Sequence, residues 1–163
     1  GTSAEYEGET SCFWDYLSTA NLIAESLNGS TACGAATQSP SVLGNAIPIT
    51  KLGRGNYIII GSTGGINYWG LTGVTGIASG VYTFDDLLTG SEAFQIDSKI
   101  DDGVATTGSV AAVDATAGTG FWTTLDVAGA AAAGECVLAG NLYNFTTSSG
   151  NDQACQLRIR TNF

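Results

Sequence analysis

The chain has no histidine and no methionine, two prolines and five basic residues among its 163. With no imidazole, and with the four cysteines expected in bridges, the usual nucleophile and base pairs of hydrolytic catalysis are missing. A zinc site likewise has neither a histidine nor a C-x-x-C pair to build on. Five basic against 15 acidic residues give a net charge of -10. Such a surface repels nucleic-acid phosphates and anionic lipid heads, which excludes sequence-independent nucleic-acid binding by this domain. No apolar run reaches the roughly 18 residues needed to cross a bilayer. The missing methionine is read as the mark of a processed or truncated chain.

What is present fits one domain over residues 1–163. Glycine numbers 23, the hydrophobic fraction is 44% and charged residues are 12%, a composition of ordered, strand-rich folds rather than of disordered tails. Cys12, Cys33, Cys136 and Cys155 allow three pairings. Their arrangement in two local couples favours Cys12 with Cys33 and Cys136 with Cys155, each closing about 20 residues for about 3 kcal/mol. Bridges imply an oxidising compartment.

The densest signals lie between Ser91 and Gly108. Ala93, Ile96 and Ile100 fall at helical spacing with Phe94 on the flank. Thr89 and Glu92 stand in the relation of a capping box, and Gly103 supplies a stop. A helix of about three turns is predicted, followed by a small-residue turn through Gly108 and a strand over Ser109–Asp114. Asp97 and Asp101 share a helical face and Asp102 lies one step on, with Lys99 pointing elsewhere. Like charges at this spacing repel, and Asp101 and Asp102 oppose the helix dipole. Arg54, Arg158 and Arg160 are the expected partners. A calcium ion on Asp97, Asp101 and Asp102 is the competing account; turn capping and salt bridging is preferred, and no cofactor is expected.

Elsewhere Phe13, Leu17, Ala20, Ala24 and Leu27 recur at steps of four and three, predicting a helix from Ser11 to about Leu27 that Asn28-Gly29 ends. Gly1–Thr10 reads as a loop. Tyr57–Ile60 and Ile66–Gly70 read as a hairpin across a five-residue Gly-rich turn; that turn lacks the ending of a phosphate-binding loop. Leu71–Gly80 reads as a Gly/Thr-rich stretch, Val81–Phe84 as a short strand and Phe121–Val127 as another. Cys136–Leu138 and Gln156–Arg160 are expected to pair as closing strands, with alternation giving the last one a buried and a wet face. The sequons at Asn28 and Asn144 are given no weight.

Three blocks carry a family likeness. Leu88–Val110, L-T-x-x-E-A-x-x-I-D-x-K-I-D-D-G-x-x-x-x-G-x-V, resembles a C-terminal signature of bacterial type IV pilin-like and pseudopilin proteins. Glu9–Ile23 is similar to that family's E-x-x-x-F-W-x-x-L-x-x-A-x-L-I helix, and the third block is Cys136 and Cys155 around Gly140–Asn144. The family often has proline where Gly90 and Ala105 stand here. The resemblance implies an α+β pilin-like head with two disulfides: an N-terminal helix, an antiparallel sheet and a second short helix. It also implies a non-enzymatic structural subunit of a type IV pilus-like or type II secretion pseudopilus-like filament. Its partners would be copies of itself or other pilin-like subunits, assembled through a preceding N-terminal apolar helix that would also be its only membrane contact. It would pass from periplasm to cell surface. The alternative is a secreted adhesive or carbohydrate-binding module, with Tyr68, Trp69, Trp122 or Tyr143 as a stacking platform.

Overall fold

A computed structural model describes residues 6–28, 40–113, 115, 120–126, 135–145 and 152–161. Strand dominates it: eight β-strands against helices α1 (Glu9–Thr19), α2 (Gly90–Ile100) and the single turn α3 (Gly120–Thr123). The expected α+β pilin-like head is therefore corrected to a mostly-sheet fold built on one curled antiparallel sheet, with Cys136–Cys155 as its described bridge. Cys12 is no free thiol, but Cys33, its expected partner, lies outside the described residues.

The physical reason is the Gly-rich middle, where glycine makes room instead of making loops. Strand β1 (Asn56–Thr63) turns through Gly64-Gly65 into β2 (Ile66–Ala78), with Thr63 opposite Ile66. Both turn glycines have positive φ, the two-residue geometry whose twist matches its strands. The turn is thus shorter than the predicted five residues. β2 also runs straight through the stretch expected to be irregular. Added carbons at Gly61 and Gly70 would meet the rings of Trp122 and Phe121, so these glycines let α3 lie directly on the sheet. Phe121 and Trp122 consequently sit in a helical turn, not in the predicted strand.

β3 (Val81–Asp85) and β8 (Gln153–Arg160) follow one another along β2. Gly73 pairs with both Asn56 and Asp85, while residues 68–71 pair with both β1 and β8. β3 and β8 therefore share the side of β2 that β1 leaves open, and the sheet curls as one partner gives way to the other. β8 then takes β4 (Leu88–Thr89) and β5 (Val110–Val113), the latter through residues 156–159. Ala154, Cys155, Gln156 and Leu157 are all buried. The first half of the last strand is thus central and buried on both faces. At its end Leu157 and Ile159 pack on the core, Arg158 is half-buried and Arg160 exposed, so the expected wet face is confined to the end. Cys136's neighbours form their own hairpin, β6 (Val137–Leu138) with β7 (Leu142–Tyr143), instead of pairing with β8; the disulfide provides the link the predicted pairing would have made.

Helix α1 is shorter than predicted. Asn21 adopts φ 55, its N–H donates to Ser18 O, and Leu22 N–H donates to Leu17 O, a Schellman stop that asparagine tolerates almost as glycine does. The Ser18 hydroxyl then receives Leu27 N–H and donates to Glu25 O, folding the chain back so that Leu27 is buried without being helical. Two apolar clusters result. Val110 and Ala112 of β5 face one with Leu88, Ala93 and Tyr143, and Val113 faces the other with Trp14, Ile59, Phe121 and Trp122.

Candidate functional site

The start of α2 is built as the sequence specifies. Thr89 Oγ1 accepts from Glu92 N–H at 3.1 Å, and Thr89 N–H donates to Glu92 Oε2 at 2.9 Å. Arg54 Nη2 donates to both Glu92 oxygens, at 2.7 and 2.6 Å, and Nε reaches Leu87 O at 3.3 Å. Burial pushes Glu92 up, but the Arg54 hydrogen bonds and the capping bonds outweigh it and hold the carboxyl below its ordinary range. Arg54 is thus spent on the cap and does not answer the aspartates, as was expected of it.

Those aspartates are answered by backbone N–H groups and two neutral hydroxyls. The buried face of α2 is Gly90, Ala93 and Asp97; Ile96 is half-buried and Ile100 is 53% exposed, so the predicted Ala93, Ile96, Ile100 stripe is rotated by about one position. Asp97 is fully buried. Its Oδ2 accepts from Tyr143 Oη at 2.8 Å and its Oδ1 from Gly103 N–H at 3.2 Å. Asp101 Oδ2 accepts from Ser109 N–H and, at 3.2 Å, from Val110 N–H, pinning the start of β5. Asp102 caps its own turn through Val104 N–H and the Thr107 hydroxyl, both at 2.8 Å. Gly103 and Gly108 adopt φ 75 and 76, and a side chain at Gly108 would run into the Asp101 carboxylate. Lys99 is exposed in the last turn, where a cation suits the dipole.

Burial raises the Asp97 pKa, opposed by the Tyr143 and Gly103 hydrogen bonds and assisted by the neighbouring Asp102 and Asp101 charges. Burial, then the Asp97 hydrogen bond, pushes Tyr143 far up. Arg158 and Arg160 lie elsewhere: the Arg158 guanidinium sits 5.1 Å over the Tyr68 ring and donates to Trp122 O, and Arg160 is exposed at the end of β8.

One oxygen from each of Asp97, Asp101 and Asp102 falls within 4.8 Å of the others. Calcium asks for about 6–8 oxygen ligands. Here both oxygens of Asp97, both of Asp102 and one of Asp101 already accept bonds from within the chain. Their donor set is that of a capped turn. Asp86 accepts from Gln156 Nε2 at 2.6 Å, and its neighbour Asp85 accepts from Asp86 N–H.

Glycine at 90 and alanine at 105 have local causes. Gly90 opens α2 with the Asn144 carbonyl where a side-chain carbon would stand, and Ala105 N–H donates to Asn141 O at 3.0 Å, a bond proline cannot make. Asn144 is itself buried, donating to Glu135 O at 3.1 Å, so the sequon it heads is closed to a glycan.

The aromatic platform does not form as predicted. Trp122 and Tyr143 are buried, and Tyr68 and Trp69 are half-buried on opposite sides of β2. Sequence reasoning missed a cleft of about 330 Å³ between the first turn of α1 and the β1–β2 hairpin, lined in part by Glu9, Phe13, Ile60, Ser62, Asn67 and Trp69. Only a long-range packing of α1 on the sheet creates it.

The Cys136–Cys155 bridge belongs to an oxidising environment, extracellular or periplasmic. Among the described residues no helix is long and apolar enough to cross a membrane. Compared with known proteins, the chain matches no family model, no curated protein and no solved structure.

Proposed function

We propose that this chain is a non-enzymatic structural subunit of an extracellular type IV pilus-like or type II secretion pseudopilus-like filament, of which it forms the soluble head. The observation that carries the reading is the use of the Leu88–Val110 block. Seven residues of the resemblance, Thr89, Glu92, Asp97, Asp101, Asp102, Gly103 and Gly108, are consumed in the α2 cap and in turns that fasten α2 to β5 and β7. That is the chemistry of a rigid covering element, in which Glu92, Asp97 and Asp101 serve as hydrogen-bond acceptors for the cap, the turn and the neighbouring strands.

In this reading polymerisation runs through the preceding apolar helix that the resemblance implies, and the partners are copies of the same or similar subunits. The head resists shear and proteases through its disulfide and its bonded turns. The acidic surface is presented outward and keeps neighbouring filaments apart. Antibodies raised against residues 1–163 test it directly. Immunogold labelling along sheared surface filaments is the expected outcome; label confined to freely secreted, unassembled protein would sink the filament reading.

A further inference from the structure

The cleft beside α1 has the chemistry of a sugar site. Ile60 stands opposite Trp69 and Ser62 opposite Asn67 in the β1–β2 register, so all four side chains leave the same side of the hairpin. That side carries α1, since the Phe13 ring lies 6.0 Å from the Trp69 ring at 69°. The floor is therefore apolar and aromatic, and Ser62, Asn67 and Glu9 stand around it. None of these three polar side chains is committed to a hydrogen bond among the described residues. A volume of about 330 Å³ lies at the lower end of the ~300–1,000 Å³ of small-molecule sites.

We propose that this cleft binds a neutral saccharide of one or two pyranose rings. A pyranose has an apolar C–H face and a rim of hydroxyls. The face suits the Trp69 and Phe13 rings, and the rim suits an amide that both donates and accepts, a hydroxyl and a carboxylate that accepts. Charge selects against the acidic alternatives. No lysine or arginine is among the described lining residues, Glu9 stands at the edge, and the whole chain carries -10. A phosphate, sulfate or uronate would meet repulsion with no cation to offset it. The site is built from residues of this chain alone and does not rest on the filament reading.

The test is titration of the ¹⁵N-labelled protein with maltose, cellobiose, lactose, mannobiose and diacetylchitobiose, following the Trp69 indole resonance. Trp122, buried on the opposite face of the hairpin, serves as the internal control. The expected result is saturable movement of the Trp69 signal by at least one neutral disaccharide, with a Kd on the order of 1 mM. The matching uronate should bind at least about tenfold more weakly, and Glu9→Gln should narrow that gap. Asn67→Ala, on an exposed strand end, should weaken the neutral sugar while leaving the remaining spectrum in place. A Trp69 signal unmoved by the entire neutral panel, uronates binding as well as neutral sugars, or an Asn67→Ala protein that binds unchanged would each overturn the proposal.

Discussion

Tyr143 Oη donates to Asp97 Oδ2 at 2.8 Å, a bond between two fully buried side chains that joins the β6–β7 hairpin to the middle of α2. It crosses 46 positions of sequence and fixes the small C-terminal hairpin against the helix. Tyr143→Phe removes the donor and leaves a buried carboxylate with the Gly103 N–H as its remaining partner. The expected loss is about 2–3 kcal/mol, the range for a buried charged group deprived of a hydrogen bond. Urea unfolding followed by tryptophan fluorescence measures it; a loss below about 0.5 kcal/mol would mean that the bond contributes little.

The raised Asp97 pKa gives this pair a pH signature. A carboxyl whose folded pKa lies above its unfolded value binds its proton more tightly in the folded state. Its contribution is most favourable at low pH and is lost as pH rises from the ordinary 3.8 through the raised value. Glu92, held low by Arg54 and the cap, has the opposite sign: its contribution is present above its ordinary 4.5 and is lost as pH falls through the folded value. Comparing urea midpoints of the native protein with Asp97→Asn and Glu92→Gln across the acid range separates them. Asp97→Asn should gain relative to native as pH rises, and Glu92→Gln should lose relative to native over the same rise.

How much of this was legible follows the range of the forces involved. The Thr89 and Glu92 cap and the Gly103 stop are contacts within one turn, and the sequence spelled them out. The partner of Asp97 was not legible, because Tyr143 lies in a distant hairpin and an aspartate on a helix ordinarily reads as solvated. The periodic isoleucines misled for the same reason: a bonded Asp97 displaced Ile100 from the buried face. Gly61 and Gly70 looked like turn residues, since nothing local announced that Phe121 and Trp122 would lie on them. Asn21 carried a readable signal, the αL tolerance of asparagine, overshadowed by apolar spacing that ran on to Leu27.

Gly108 and Gly140 make a controlled pair. Both have positive φ, 76 and 88, but a Cβ at Gly108 would strike the Asp101 carboxylate whereas at Gly140 it would meet nothing within 4 Å. Gly140→Ala should therefore show the conformational cost alone, on the order of 1 kcal/mol. Gly108→Ala should add the loss of the Asp101 bonds to Ser109 and Val110, about 1–3 kcal/mol more. Equal thermal shifts in the two variants would mean that Asp101 does not clamp β5.

The Cys136–Cys155 bridge ties the β6–β7 hairpin to the central strand β8 across 19 positions, with both cysteines buried. A loop of that length contributes about 3 kcal/mol through the unfolded chain, and here the same hairpin also supplies Tyr143. The double variant Cys136→Ala with Cys155→Ala should therefore lose about 3 kcal/mol and also loosen the Tyr143 to Asp97 bond. Adding Tyr143→Phe to it should then cost less than Tyr143→Phe costs in the native protein. A strictly additive result in urea titrations would show that the hairpin keeps its place on α2 without the bridge, and that the disulfide acts on the unfolded chain alone.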